Sequence, residues 1–130
     1  MGEARWDRRR FWLLRRFRLP NGAIRSPDAS WVRRDRWQSL SKAQQESFAH
    51  LCPDFVVELR SPSDAVAELQ QKMIEYLDNG ARAGILIDPF EYRVYVYRAG
   101  GEAQMMERPA KIAMAPEFPE LIFNMAEFWD

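Results

Sequence analysis

Phe55 to Arg60 is the clearest element in the chain, an apolar, β-rich run interrupted by one acid, Glu58. Such a run predicts a strand buried on both faces, as in the centre of a sheet. Ser61 to Ser63 ends it, and Asp64 to Asn79 reads as a helix. Val66, Leu69, Met73, Tyr76 and Leu77 recur at helical spacing and make one apolar face, and Asn79-Gly80 is a good stop. Gly84 to Asp88 is a second buried strand, closed by Pro89. Tyr92 to Arg98 is a third, and Ala99 to Gly101 turns the chain into a hairpin over Glu102 to Glu107.

The flanks are less regular. Phe11 to Leu19 reads as a strand with a turn at Pro20 to Gly22, and Ala29 to Val32 as a short strand. Asp35 to Phe48 looks helical in two pieces, with Ser41 as N-cap and Gln44 at the capping-box position. A short strand near Lys111 to Met114 and a last helical turn at Met125 to Trp129 complete the chain. Strand, helix, strand and hairpin in that order predict an α/β fold with a mixed sheet flanked by helices.

At 130 residues this is one domain with enough apolar and aromatic residues for a core. Cys52 is the single cysteine, so no internal disulfide forms, and a reducing cytoplasm fits. No apolar run reaches membrane-spanning length, and Phe11 to Leu14 is too short for a signal peptide core. The formal net charge is zero, but Arg5, Arg8, Arg9, Arg10, Arg15, Arg16 and Arg18 crowd the start against Glu3 and Asp7. Residues 1–16 therefore read as a basic, poorly ordered arm. Such an arm is either a solvated terminus or a contact for a phosphate backbone.

Three residues carry candidate chemistry. Asp28 follows Pro27 at the mouth of a strand. Glu58 shares a strand face with Val56 and Arg60, where a lone carboxylate needs a salt bridge or a cation. Lys72 lies on the next helix, where pairing with Glu68 is the bland alternative. Two acids and a lysine are the minimum for phosphodiester hydrolysis: the acids hold a hard cation, and the lysine offsets developing charge. Other residues read more simply. Asp54 is a strand-entry residue able to help the site from one strand end, Asp64 an N-cap or first-turn residue, and Asp88 a turn former. His50 and Cys52 are too few for a metal site. Tyr92, Tyr95 and Tyr97 either pack or stack on bases. Trp31, Trp37 and Trp129 read as core.

The ordered series Arg25-Ser-Pro-Asp-Ala-Ser-Trp-Val32, Cys52-Pro-Asp-Phe-Val-Val-Glu-Leu-Arg-Ser-Pro-Ser-Asp64 and Lys72-Met-Ile-Glu-Tyr76 resembles the Uma family of bacterial restriction-endonuclease-like proteins, within the PD-(D/E)XK nuclease superfamily. The resemblance continues through Asn79 to Pro89 and Val94 to Arg98, and covers about residues 17–130. It implies a restriction-endonuclease-like mixed sheet and an endonuclease that hydrolyses DNA with Mg²⁺ or Mn²⁺. Asp28 and Glu58 fall on its metal ligands and Lys72 on its catalytic lysine, with Tyr76 and Arg60 in support. The superfamily's usual lysine, two residues after the second acid, falls instead on Arg60, and arginine is a poor base. Relatives also carry a longer N-terminal part before the Ser-Pro-Asp motif. Its shortening here predicts an exposed sheet edge, and with it a homodimer or an aggregation-prone product. The alternative is a truncated or inactive nuclease-fold protein that binds DNA or a protein partner.

Overall fold

A computed structural model describes residues 10–13 and 15–130. The central strand β5 (Phe55–Leu59) runs parallel to β6 (Ala83–Asp88), and helix α3 (Val66–Asp78) makes the crossover between them. A parallel pair needs such a connection, and the helix covers one sheet face as it returns. Strand β4 (Ala29–Arg33) lies antiparallel on one side of this pair, with β1 (Arg10–Leu13) outside it. Strands β7 (Arg93–Arg98) and β8 (Gln104–Glu107) extend the other side. The order is β1-β4-β5-β6-β7-β8, a six-stranded mixed sheet.

Side-chain alternation along β5 and β6 sorts the core into two layers. Val56 and Leu86 face α3 and pack with Leu69, Met73 and Tyr76. Phe55, Ile85 and Ile87 face the opposite side. There they meet Phe118, Phe123 and Met125, which follow β9 (Lys111–Ala113) or lie in and after β10 (Ile122–Asn124). The apolar helix face expected from sequence is present: Leu69, Met73 and Tyr76 are buried, while Val66 and Leu77 pack at its margin.

A second tether fixes α3. The small hairpin of β2 (Phe17–Arg18) and β3 (Ile24–Arg25) turns at Asn21-Gly22, where Gly22 has a φ of 90°. Asn21 bonds through its backbone N–H to Asn79 Oδ1 at 2.9 Å and through Nδ2 to Glu75 Oε2 at 3.1 Å. Arg25 Nε meets Glu75 Oε1 at 2.5 Å. These contacts hold the C-terminal half of α3 beside Tyr76.

Some sequence expectations shift. The strand expected from Phe11 to Leu19 divides into β1 and β2. Arg10–Leu13, read as the end of the basic arm, pairs along β4. Thus β1 is the outermost strand on this side of the sheet, next to β4. Residues 1–9 lie outside the described residues. The two expected helical pieces are α1 (Arg34–Gln38) and α2 (Lys42–Glu46). Ser41 Oγ accepts the Gln44 N–H at 3.2 Å as expected, while the Gln44 side chain turns to His50 Nδ1. Helix α3 starts at Val66, not Asp64, because the Asp64 carboxylate is engaged by the Ser61 N–H and hydroxyl at 2.9 and 2.8 Å. Tyr92 sits in a turn with a φ of 58° rather than in β7. Among the tryptophans, Trp31 is buried, whereas Trp37 and Trp129 are half-buried.

Gly84 tests the close approach of α3 to the sheet. A Cβ there would stand 2.7 Å from Met73 Cε, 2.7 Å from Val56 Cγ2 and 2.9 Å from Val56 O. Backbone cannot yield as a side-chain tip does, so Gly84→Ala should cost about 1–3 kcal/mol by overpacking. Urea unfolding should show a lower midpoint with an unchanged slope.

Candidate active site

Pairing register brings the two acids together. Ala29 faces Val57 and Ser30 faces Val56 across β4 and β5. Continuing that register by one residue sets Asp28 opposite Glu58, on the same face of the sheet. The Leu59 N–H donates to Asp28 Oδ2 at 2.7 Å, which fixes the carboxylate beyond the start of β4. Pro27, buried just before it, closes the entry to the strand.

Glu58 is only 4% exposed although it carries a titratable group in an apolar strand. Tyr76, on the buried face of α3, donates its hydroxyl to Glu58 Oε2 at 2.9 Å. Lys72 lies one helical turn before Tyr76, so its side chain leans along the same face. Its charge acts on both Glu58 and Asp64. Among the described residues Lys72 closes no ion pair, so the alternative of a pair with Glu68 does not form. Burial pushes the Glu58 carboxyl up to about 7. The Lys72 charge and the Tyr76 hydrogen bond oppose that rise, and the Asp28 carboxyl, within hydrogen-bonding reach, adds to it. Burial and the Glu58 charge in turn push the Tyr76 phenol far above its ordinary range, so it stays a donor.

Arg60 takes a different part. Its Nη1 meets the fully buried Asp88 Oδ2 at 2.9 Å, and its Nε reaches the Asp64 carbonyl at 3.2 Å. The guanidinium also lies over Phe90, 5.7 Å from the ring centroid. It clamps the loop that leads from β5 into α3, and its charge is spent on Asp88. Asp88 is also the expected turn former, accepting the N–H groups of Phe90 and Glu91 at 3.0 and 3.1 Å.

Asp54 does not join the site. It lies at the other end of β5, about 13 Å from Glu58 at the strand rise. Arg36 Nη1 meets its Oδ1 at 2.7 Å, and the Arg33 N–H its Oδ2 at 2.8 Å. The Cys52 thiol is buried, donates to the Tyr76 carbonyl at 3.3 Å and is raised by burial to about 12. Among the described residues, no group of three or more His, Cys, Asp or Glu gathers to hold a metal ion. A cavity of about 420 Å³ lies on the opposite sheet face, lined by Trp12, Val57, Ile87 and Phe128, and lacks the acid pair. Sequence reasoning missed Asp88 as the partner of Arg60. Its only signal was a buried acid at a strand end.

The raised Glu58 group sets a pH dependence. Its folded value of about 7 exceeds the ordinary 4.5, so the folded state holds the proton more tightly. That contribution to stability is complete below about 4.5 and is lost as pH rises to about 7. Asp35 and Asp64 are shifted downward from 3.8 and titrate below this window. In metal-free buffer the unfolding temperature should fall across the window, and Glu58→Gln should flatten the fall.

The model of the Uma2 family, described as "Putative restriction endonuclease", matches residues 5–126. A crystal structure described as "a putative nuclease belonging to DUF820", from Anabaena variabilis ATCC 29413, superimposes with a TM-score of 0.80 at 23% identity. That match covers 98% of this chain and 72% of that chain, and at such identity it shows the fold. No curated protein matches the chain. The family match spans both acids, the central strand and the helix behind it, and the chain belongs to the Uma2 family.

Proposed function

We propose that this protein is a metal-dependent endonuclease that hydrolyses DNA phosphodiester bonds, with Asp28 and Glu58 as metal ligands and Lys72 as the catalytic lysine. The observation that carries the reading is the convergence of two carboxyls, one of them buried, with a lysine charge and a phenol at one end of β5. Like charges in contact, one of them buried, repel, and a cation between them removes the repulsion. Two carboxylates fit Mg²⁺ or Mn²⁺, since such ions keep several waters and take further oxygens from phosphate. When bound, the ion acidifies a water and neutralises charge on the phosphate. The family description and the nuclease fold support the same chemistry.

The chain's own groups then have distinct tasks. The Leu59 N–H orients Asp28, and the Tyr76 hydroxyl orients Glu58. The Lys72 ammonium offsets the negative charge that grows on the phosphoryl oxygens as water attacks phosphorus and the sugar oxygen leaves. Arg60 and Asp88 hold the loop between Glu58 and α3. DNA is the partner in this reading. Among the described residues, no helix is long and apolar enough to cross a membrane.

Supercoiled plasmid is the direct test. Wild type should nick it with Mg²⁺ or Mn²⁺ and not in EDTA. Asp28→Ala, Glu58→Ala and Lys72→Ala should each lower the rate by about 100-fold or more. Tyr76→Phe should cost less, because the carboxylates remain. A folded wild type that cuts nothing would overturn the reading and leave a nuclease-fold protein that binds DNA or a protein partner.

A further inference from the structure

The turn between β6 and β7 carries two aromatic side chains that the core does not use. Phe90 is 48% exposed and Tyr92 38%. Each ring lies against an arginine: Arg60 by Phe90, and Arg108 over Tyr92 at 4.0 Å from the centroid. Tyr92 has a φ of 58° and Arg108 a φ of 41°, the left-handed region that side chains disfavour. The Arg108 N–H donates to the Tyr92 carbonyl at 2.9 Å, so the two strained residues hold each other. Trp129 flanks the tyrosine at 6.4 Å. Strain of this kind gathers at functional positions. Here it sets a guanidinium flat on a ring at the surface.

The charge of Arg108 is available. It closes no ion pair among the described residues. The small cavity beside it, about 210 Å³, is lined by Glu91, Tyr92, Arg93, Glu107 and Arg108. Both carboxylates act on Arg93, whose pKa is raised first by its hydrogen bond with Tyr95 and then by these and other charges. Arg93 faces Glu107 across β7 and β8.

Position completes the case. Asp28 precedes β4, β5 ends at Leu59, β6 ends at Asp88, β7 begins at Arg93 and β8 ends at Glu107. The strand directions place all of these at one rim of the sheet. Along the sheet Arg108 stands three strands from Glu58, about 14 Å at the usual strand spacing, on the side of the rim where Trp129 packs. That is within the roughly 17 Å of half a duplex turn.

We propose that Arg108, held on Tyr92, contacts a backbone phosphate of the substrate flanking the cut, an inference that rests on the nuclease reading of Asp28 and Glu58. A stacked guanidinium keeps its fork of donors free at the edge, and that fork suits two phosphate oxygens. Tyr92 is the positioning residue.

Anisotropy with a fluorescein-labelled DNA duplex tests it, using Glu58→Gln protein with Mg²⁺ so that the probe stays intact. Arg108→Ala should weaken binding several-fold and lower the slope of log K against log salt by about 0.9. Arg108→Lys should recover the slope but not the full affinity. Arg82→Ala is the matched control: it removes an arginine lying 5.2 Å from the Phe118 ring, just before β6 and so at the opposite rim. It should leave the slope unchanged. A wild-type slope in Arg108→Ala, or an equal fall in Arg82→Ala, overturns the inference. Nicking by protein with its native Glu58 separates the two claims. If wild type binds and cuts but Arg108→Ala keeps its slope, only the Arg108 contact fails. If wild type neither binds nor cuts, the nuclease reading fails and takes this inference with it.

Discussion

Burial of the Glu58 carboxyl opposite Asp28 is the constraint around which the molecule is arranged. A carboxylate inside an apolar strand loses hydration, and a second carboxyl beside it makes ionisation harder still. The fold answers from one direction, through α3. Its Tyr76 hydroxyl and Lys72 charge both favour the ionised form, yet burial prevails and the group remains raised. The residual cost is what a cation would relieve. Delivering those two helix groups demands close approach of α3 to the sheet. Gly84 permits it, since any Cβ there would collide with Met73 and Val56. The hairpin contacts at Glu75 and Asn79 then fix the helix next to the tyrosine.

The arginine at position 60 follows from the same arrangement. A cation two residues after Glu58 lies on its face of the strand, but here it meets the buried Asp88. Asp88 at 0% exposure would be costly alone, and a planar fork reaching Asp88 and the Asp64 carbonyl ties the end of β6 to the loop before α3. Arg60 is therefore committed to holding the chain between β5 and α3. The charge that acts on Glu58 from the helix side is that of Lys72.

Much of this was legible in the sequence, for reasons that can be assigned. The β5 run, the α3 face and the strand at Gly84 to Asp88 have strong periodicity, and burial follows periodicity closely. Asp28, Glu58 and Lys72 are singled out by residue type and order, and in the structure the Asp28 carboxyl and the Lys72 charge both act on Glu58. What escaped depended on pairing across the chain. The Arg60–Asp88 clamp joins positions with no local signal between them. Strand β3 has two residues and β10 three, too short for any period to emerge. The α3 start was misjudged because Asp64 has a capping residue's chemistry but caps the preceding turn instead. Tyr92 was read into a strand because its neighbours alternate, although its backbone is left-handed.

One strand carries buried acids at both of its ends, and their contrast separates structure from chemistry. Asp54 enters β5 with one oxygen on Arg36 and the other on the Arg33 N–H, so its charge is met by a fork and a backbone dipole. Its place in the fold is complete without any further ion. Glu58, four residues on, has for neighbours a phenol, a second carboxyl and a lysine charge that forms no ion pair among the described residues. Both are about 4% exposed, so burial alone does not distinguish them. The difference lies in what each is given. A buried carboxylate with a fitted arginine stabilises a rim, whereas one set against another carboxyl keeps an electrostatic demand that a cation can meet. That demand, at the rim where Asp28 is also exposed to solvent, is the physical reason the proposed chemistry is assigned to this end of the strand.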